Sequence, residues 1–151
     1  MHSKNGRDVE LFIVDVFVSL YKIKSYTVMF ENGQQLQRNS LHWDATMRAF
    51  EIIGESLNNL LENEHFEKSA PSYFRKIVNF RNVVAHGYFG IDADEVWNIV
   101  TQKLDDLNHD LLYIAVSQFD LHEALLLTTK EYTALNEKNI VTYLEKLTSS
   151  L

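Results

Sequence analysis

The chain has 151 residues, 46% of them hydrophobic, which is one domain's length and enough to bury about 68–70% of the unfolded surface. It has no cysteine, so disulfides, thiolate zinc sites and a cysteine nucleophile are excluded. Its net charge of −7 counts against a broad nucleic-acid-binding surface, which would be basic, but not against a small cationic site on an acidic body.

The first residues, Met1 to Arg7, are polar and lead directly into a helical pattern, so no signal peptide is expected. The longest apolar run, Leu11 to Val18, is interrupted by Asp15 and too short for a bilayer, and a cytoplasmic protein is the expectation. Apolar residues recur at three- and four-residue spacing, which predicts an all-α chain. The first helix is predicted from about Asp8 to Phe30, with Leu11, Val14, Phe17, Val18, Tyr21 and Met29 on one stripe, and Glu31-Asn32-Gly33 as its stop. The second runs from Ser40, a plausible N-cap, to about Glu62, with Met47, Phe50, Ile53, Gly54, Leu57, Leu60 and Leu61 inward. A polar connector follows over Asn63 to Ser69, and Pro71 suits the first turn of a third helix carrying Phe74, Ile77, Val78, Phe80, Val83 and Val84.

That third helix ends in Arg81-Asn82-Val83-Val84-Ala85-His86-Gly87-Tyr88, where a permanent cation, a proton carrier and a phenol fall within eight residues. Arginine grips phosphate oxygens through paired hydrogen bonds and histidine exchanges a proton near neutrality, a pairing suited to phosphodiester cleavage without a metal. Residues five apart on an unbroken helix differ by about 140°, so Arg81 and His86 cannot face one substrate from it. Either the helix ends before His86, aided by Gly87, or two chains supply the groups across a dyad. Asn82, four residues before His86, is placed to hydrogen-bond the imidazole and fix its tautomer.

The fourth helix is predicted to start at the capping box Asp92-x-x-Glu95, with Ile91 as a staple, and to continue through Val96, Ile99, Val100, Leu104, Leu107, Leu111, Ile114 and Ala115 to about Phe119. Four such helices make an up-down bundle. The tail from Asp120 to Leu151 adds one or two short helices, giving one domain over 1–151 with a core of about 8–119 and an extension over 120–151. A metal site from Glu62-x-x-His65 and Asp106-x-x-His109 has the spacing of bundle carboxylate sites, but both pairs lie in polar stretches that read as solvated, and neither a metal nor another cofactor is expected.

The arginine, four residues, histidine, one residue, tyrosine pattern resembles the signature of the HEPN ribonuclease superfamily, and more narrowly its HepT branch, the toxin half of HEPN/MNT toxin–antitoxin pairs. The Trp43-to-Ser56 stretch, with Ile53-Gly54-Glu55-Ser56, and the Gly87-to-Asp92 turn followed by Val96-Trp97 are similar to that family in the same order. The resemblance covers roughly Asp8 to Val116. It implies a HEPN-like bundle, a homodimer with a composite cleft, RNA (tRNA or mRNA) as substrate, and a type VII-like pairing in which an MNT nucleotidyltransferase silences the toxin by AMPylation of Tyr88. The chemistry of the residues suggests His86 as general base on a ribose 2′-hydroxyl and Arg81 as the group that neutralises charge on the phosphate, with Asn82 in support. The competing reading is a non-catalytic helical module whose cleft holds a nucleotide or the nucleotidyltransferase.

Overall fold

In the computed structural model the described residues are 8–87 and 90–151, excepting the side chains of 85–87. They are all-α, with no strand among them. Helix α1 (Val9–Thr27) is the central element and packs against α3 (Ser40–Leu60), which in turn packs against α5 (Tyr73–Gly87). Helix α6 (Ala93–Asn98) continues through a π turn over Ile99–Lys103 into α7 (Leu104–Gln118), which returns to α1. Phe17, Phe50, Ile53, Leu57, Phe74 and Leu107 interlock with no more than marginal exposure where these helices meet. The four long pieces form the expected up-down bundle.

The boundaries depart from expectation where short polar chemistry decides them. Helix α1 stops at Thr27, three residues early, and Met29 lies outside it and exposed. Asn32 then caps a six-residue helix, α2 (Gly33–Arg38), by accepting from the Gln35 N–H at 2.9 Å. Asn39, one residue before the expected Ser40, caps α3 by accepting from the His42 N–H. The connector over 63–69 is a second six-residue helix, α4 (Glu64–Ser69), capped by Asn63 and anchored by the fully buried Phe66. Pro71 precedes α5, its carbonyl accepting from the Phe74 N–H. Asp92 caps α6 through the Asp94 N–H and not through the Glu95 N–H of a capping box.

Gly33 permits the tight approach of α2 to α6, since a Cβ there would overlap the Ala93 carbonyl, and Gln34 donates to Asp94 across the same junction at 2.8 Å. The start of α6, just beyond the motif segment, is thereby pinned to the body of the protein. The tail forms two helices, α8 (His122–Ala134) and α9 (Lys138–Ser150), turning through Asn136 at a positive φ of 60°. Both pack on α1: Tyr143 stacks on Tyr21 at 4.6 Å and donates to the Phe17 carbonyl, and Lys22 donates to the Tyr132 hydroxyl at 3.1 Å. Leu126 and Leu135 of the tail face solvent.

Candidate ribonuclease site

Helix α5 has an uninterrupted run of helix-compatible residues, and it buries Phe74, Val78 and Val84 against the bundle. Phe80 meets Phe50 of α3 edge to face at 5.3 Å, fixing the rotation of α5 beside the motif. Val83, expected on the buried stripe, is instead 54% exposed, because the neighbouring Val84 takes the inward position.

Arg81 sits where α5 comes closest to α3. A Cβ on Gly54 would overlap the Cβ and Cγ of Arg81, so the glycine is what lets the arginine's stem lie against the facing helix. From there its Nη2 donates to Glu55 Oε1 and its Nη1 to Asn82 Oδ1, both at 3.0 Å. Nε is buried and has no partner among the described residues. The side chain is 30% exposed and Glu55 46%, so this ion pair contributes less than about 1 kcal/mol to stability. Its main effect is to aim the guanidinium, whose remaining Nη N–H groups have no partner among the described residues and suit an anion's oxygens.

The carbonyl oxygen of Asn82 accepts from Arg81, and its expected bond to the His86 imidazole lies outside the described residues. Helix α5 runs through His86 to Gly87, which overturns the alternative in which the helix ends before His86. An unbroken helix keeps positions 81 and 86 about 140° apart. The side chain of His86 and the whole of Tyr88 lie outside the described residues.

A family model described as "Ribonuclease HepT-like" matches residues 18–114. The chain belongs to the HepT-like ribonuclease family. Among similar proteins, a "Putative RNase" of Methanocaldococcus jannaschii is 29% identical over 105 residues, covering 70% of this chain and 94% of that protein. A "Gamma-glutamylcyclotransferase and putative RNase" of the same organism is 28% identical over 108 residues, 72% of this chain and 48% of that one. A "Probable ribonuclease HepT" of Thermococcus cleftensis is 33% identical over 64 residues, 42% of this chain and 56% of that one. No solved structure matches.

The HepT-like match holds α3, α5 and the Arg81 site, and it ends inside α7, so that α8 and α9 lie beyond it. Within the matched region, Glu55 lies in the Ile53-Gly54-Glu55-Ser56 element, but its link to Arg81, 26 positions away on another helix, is one that no local pattern gives. Gly54 in mid-helix marks a close approach without naming the residue that approaches. Glu51, one turn before Glu55, pairs with Arg48 at 3.3 Å and takes no part in the Arg81 contacts. Among the described residues no group of three or more carboxylate or imidazole side chains is gathered for a metal, and Glu62, His65, Asp106 and His109 are all exposed. No helix among them is long and apolar enough to cross a membrane.

Proposed function

We propose that this HepT-like chain is the toxin of a type VII-like HEPN/MNT pair, a metal-independent endoribonuclease acting in the cytoplasm as a homodimer. The observation that carries the reading is Arg81, aimed by Glu55 and Asn82 from a helix that continues unbroken through His86. Because one helix keeps Arg81 and His86 on different faces, the reading draws the two groups acting on one phosphate from two protomers. His86 takes the proton of a ribose 2′-hydroxyl as its oxygen bonds to the adjacent phosphorus. The P–O5′ bond breaks, and the leaving oxygen is protonated by a second His86 or by water. Arg81 stabilises the charge gathered on the non-bridging oxygens. The products are a 2′,3′-cyclic phosphate and a 5′-hydroxyl, and DNA, lacking the nucleophile, is not cut.

Silencing follows from AMPylation of Tyr88 by an MNT-type nucleotidyltransferase, which sets a bulky, anionic adenylate two residues from His86 and repels the RNA backbone. The chain lacks a Gly-Ser followed by an Asp-x-Asp pair, so that activity comes in trans. The test is growth on induction of wild type, Arg81→Ala and His86→Ala, with purified proteins then incubated with total RNA in EDTA. Toxicity and EDTA-resistant cleavage lost in both variants are expected. Folded dimers that neither cut RNA nor slow growth would replace the enzyme with a non-catalytic nucleotide- or partner-binding module.

A further inference from the structure

In a chain with 21 acidic residues and a net charge of −7, α5 has Arg75, Lys76 and Arg81 and not one aspartate or glutamate. Arg81 is turned toward α3, but the opposite side of α5 is a strip of different character. Arg75, Lys76, Asn79, Asn82 and Val83 are all exposed, and the helical repeat places them within about 120° of one another. Position 86 falls in the same strip by that repeat, and the distance along the axis from 75 to 86 is about 16 Å.

The exposed cations fall into two groups, and Arg75 and Lys76 belong with Arg38, Lys103, Lys130, Lys138 and Lys146 in the one without a carboxylate partner among the described residues. Lys24, Arg48, Lys68 and Arg81 are each paired with a carboxylate, whereas Arg75 and Lys76 have no side-chain partner among the described residues. Among the described residues Asn79 is equally unengaged, and Asn82 makes one bond, accepting from Arg81 through its carbonyl oxygen, while its amide N–H groups meet no described partner. Lys76 also edges a groove of about 390 Å³ between α5 and the α6–α7 segment, whose lining includes Glu95, so Arg75 is the less compensated of the two. Two copies of this strip set face to face would oppose like charges, which disfavours the N-terminal half of α5 as a self-association surface.

We infer that the outward strip of α5 is a track for the substrate backbone. In this arrangement Arg75 and Lys76 hold phosphates flanking the one being cut, and the amides of Asn79 and Asn82 donate to phosphate oxygens between them. The track reads backbone charge and not base identity, so it sets affinity and its salt dependence and leaves sequence preference to other contacts. It rests on the ribonuclease reading above, and deepens it by placing the strand along α5 from position 86 toward Arg75.

The experiment uses the full-length protein and a fluorescent, uncleavable 2′-O-methyl RNA oligomer, with affinity measured by anisotropy over a range of salt. Arg75→Gln and Lys76→Gln are each expected to weaken binding on the order of fivefold and to lower the slope of log affinity against log salt by about 0.7. Asn79→Asp, which inserts a carboxylate into the strip, is expected to weaken binding further. Lys138→Gln, a substitution on α9, is expected to change nothing. On natural RNA the strip variants raise KM and leave kcat in place. Unchanged affinity and salt slope in Arg75→Gln and Asn79→Asp, with wild type still cleaving RNA, overturn the track and leave the ribonuclease standing. A wild type that neither binds nor cuts RNA overturns both.

Discussion

Arg81 combines two duties that proteins usually separate, packing a helix seam with its stem and presenting a charge with its head. The Glu55 contact belongs to the head. Glu55→Ala is expected to lower RNA cleavage roughly tenfold by loosening the guanidinium, with a melting temperature close to wild type because a half-exposed pair contributes less than about 1 kcal/mol. Steady-state cleavage and thermal melts on the same samples check both halves of that statement. The Gly54 contact belongs to the stem. In an open helix Gly→Ala stabilises by about 1 kcal/mol, but here the added methyl overlaps Arg81, and overpacking of this kind costs about 1–3 kcal/mol. Gly54→Ala is therefore expected to lower stability in urea titration and to lose cleavage; a more stable protein would show that the seam opens without cost. At this scale the motif residues were legible from their spacing and chemical type. The pairing of Glu55 with Arg81 was not, because it exists only once α3 and α5 have packed.

The long helices could be read from periodicity, because 15 to 21 residues give several turns of an apolar stripe to recognise. Helices α2 and α4, six residues each, offer fewer than two turns, and their only signals were Asn32 and Asn63, whose side chains satisfy the first free N–H groups. The π turn over Ile99–Lys103 left no mark on the apolar spacing strong enough to break one predicted helix into two. Where α9 meets α1, Tyr143 gives a pH test. Burial, reinforced by the neighbouring Tyr21, pushes its phenol up from the ordinary value of 10.0, and Tyr73 is pushed up by burial and by its bond to Asp110. The sign follows from the unfolded chain, which ionises these phenols near pH 10 while the folded protein resists doing so. The stabilisation is complete below that value and falls as pH rises beyond it. Tyr143→Phe is expected to be somewhat less stable at neutral pH, having lost the bond its hydroxyl donates to the Phe17 carbonyl, but to lose stability less steeply above about pH 10. Melting curves across the alkaline range measure the slope; parallel curves for variant and wild type would contradict the assignment.

For the molecule as a whole, the family match covers 18–114 while the buried core continues into Leu125, Ile140 and Leu144 of the tail helices. The α8–α9 pair covers a flank of α1 through Tyr21–Tyr143 stacking, so a chain ending after Phe119 would expose that flank. Such a truncation is expected to aggregate or melt well below the full chain, as judged by gel filtration and thermal melts. A monodisperse truncation with the full-length melting temperature would show the tail to be dispensable for folding. The tail's helical character was legible, but its docking site was not, since nothing in its own apolar pattern names α1 as the partner.

The glycine beneath Arg81 also has a genetic consequence. If induction of this chain arrests growth, a selection for survivors should return harmless alleles in α3 as readily as at the motif, because any side chain at position 54 pushes the cation's stem aside. Such alleles would be repaired by second-site changes that reopen the seam, whereas losses of Arg81 or His86 would have no revertant of that kind.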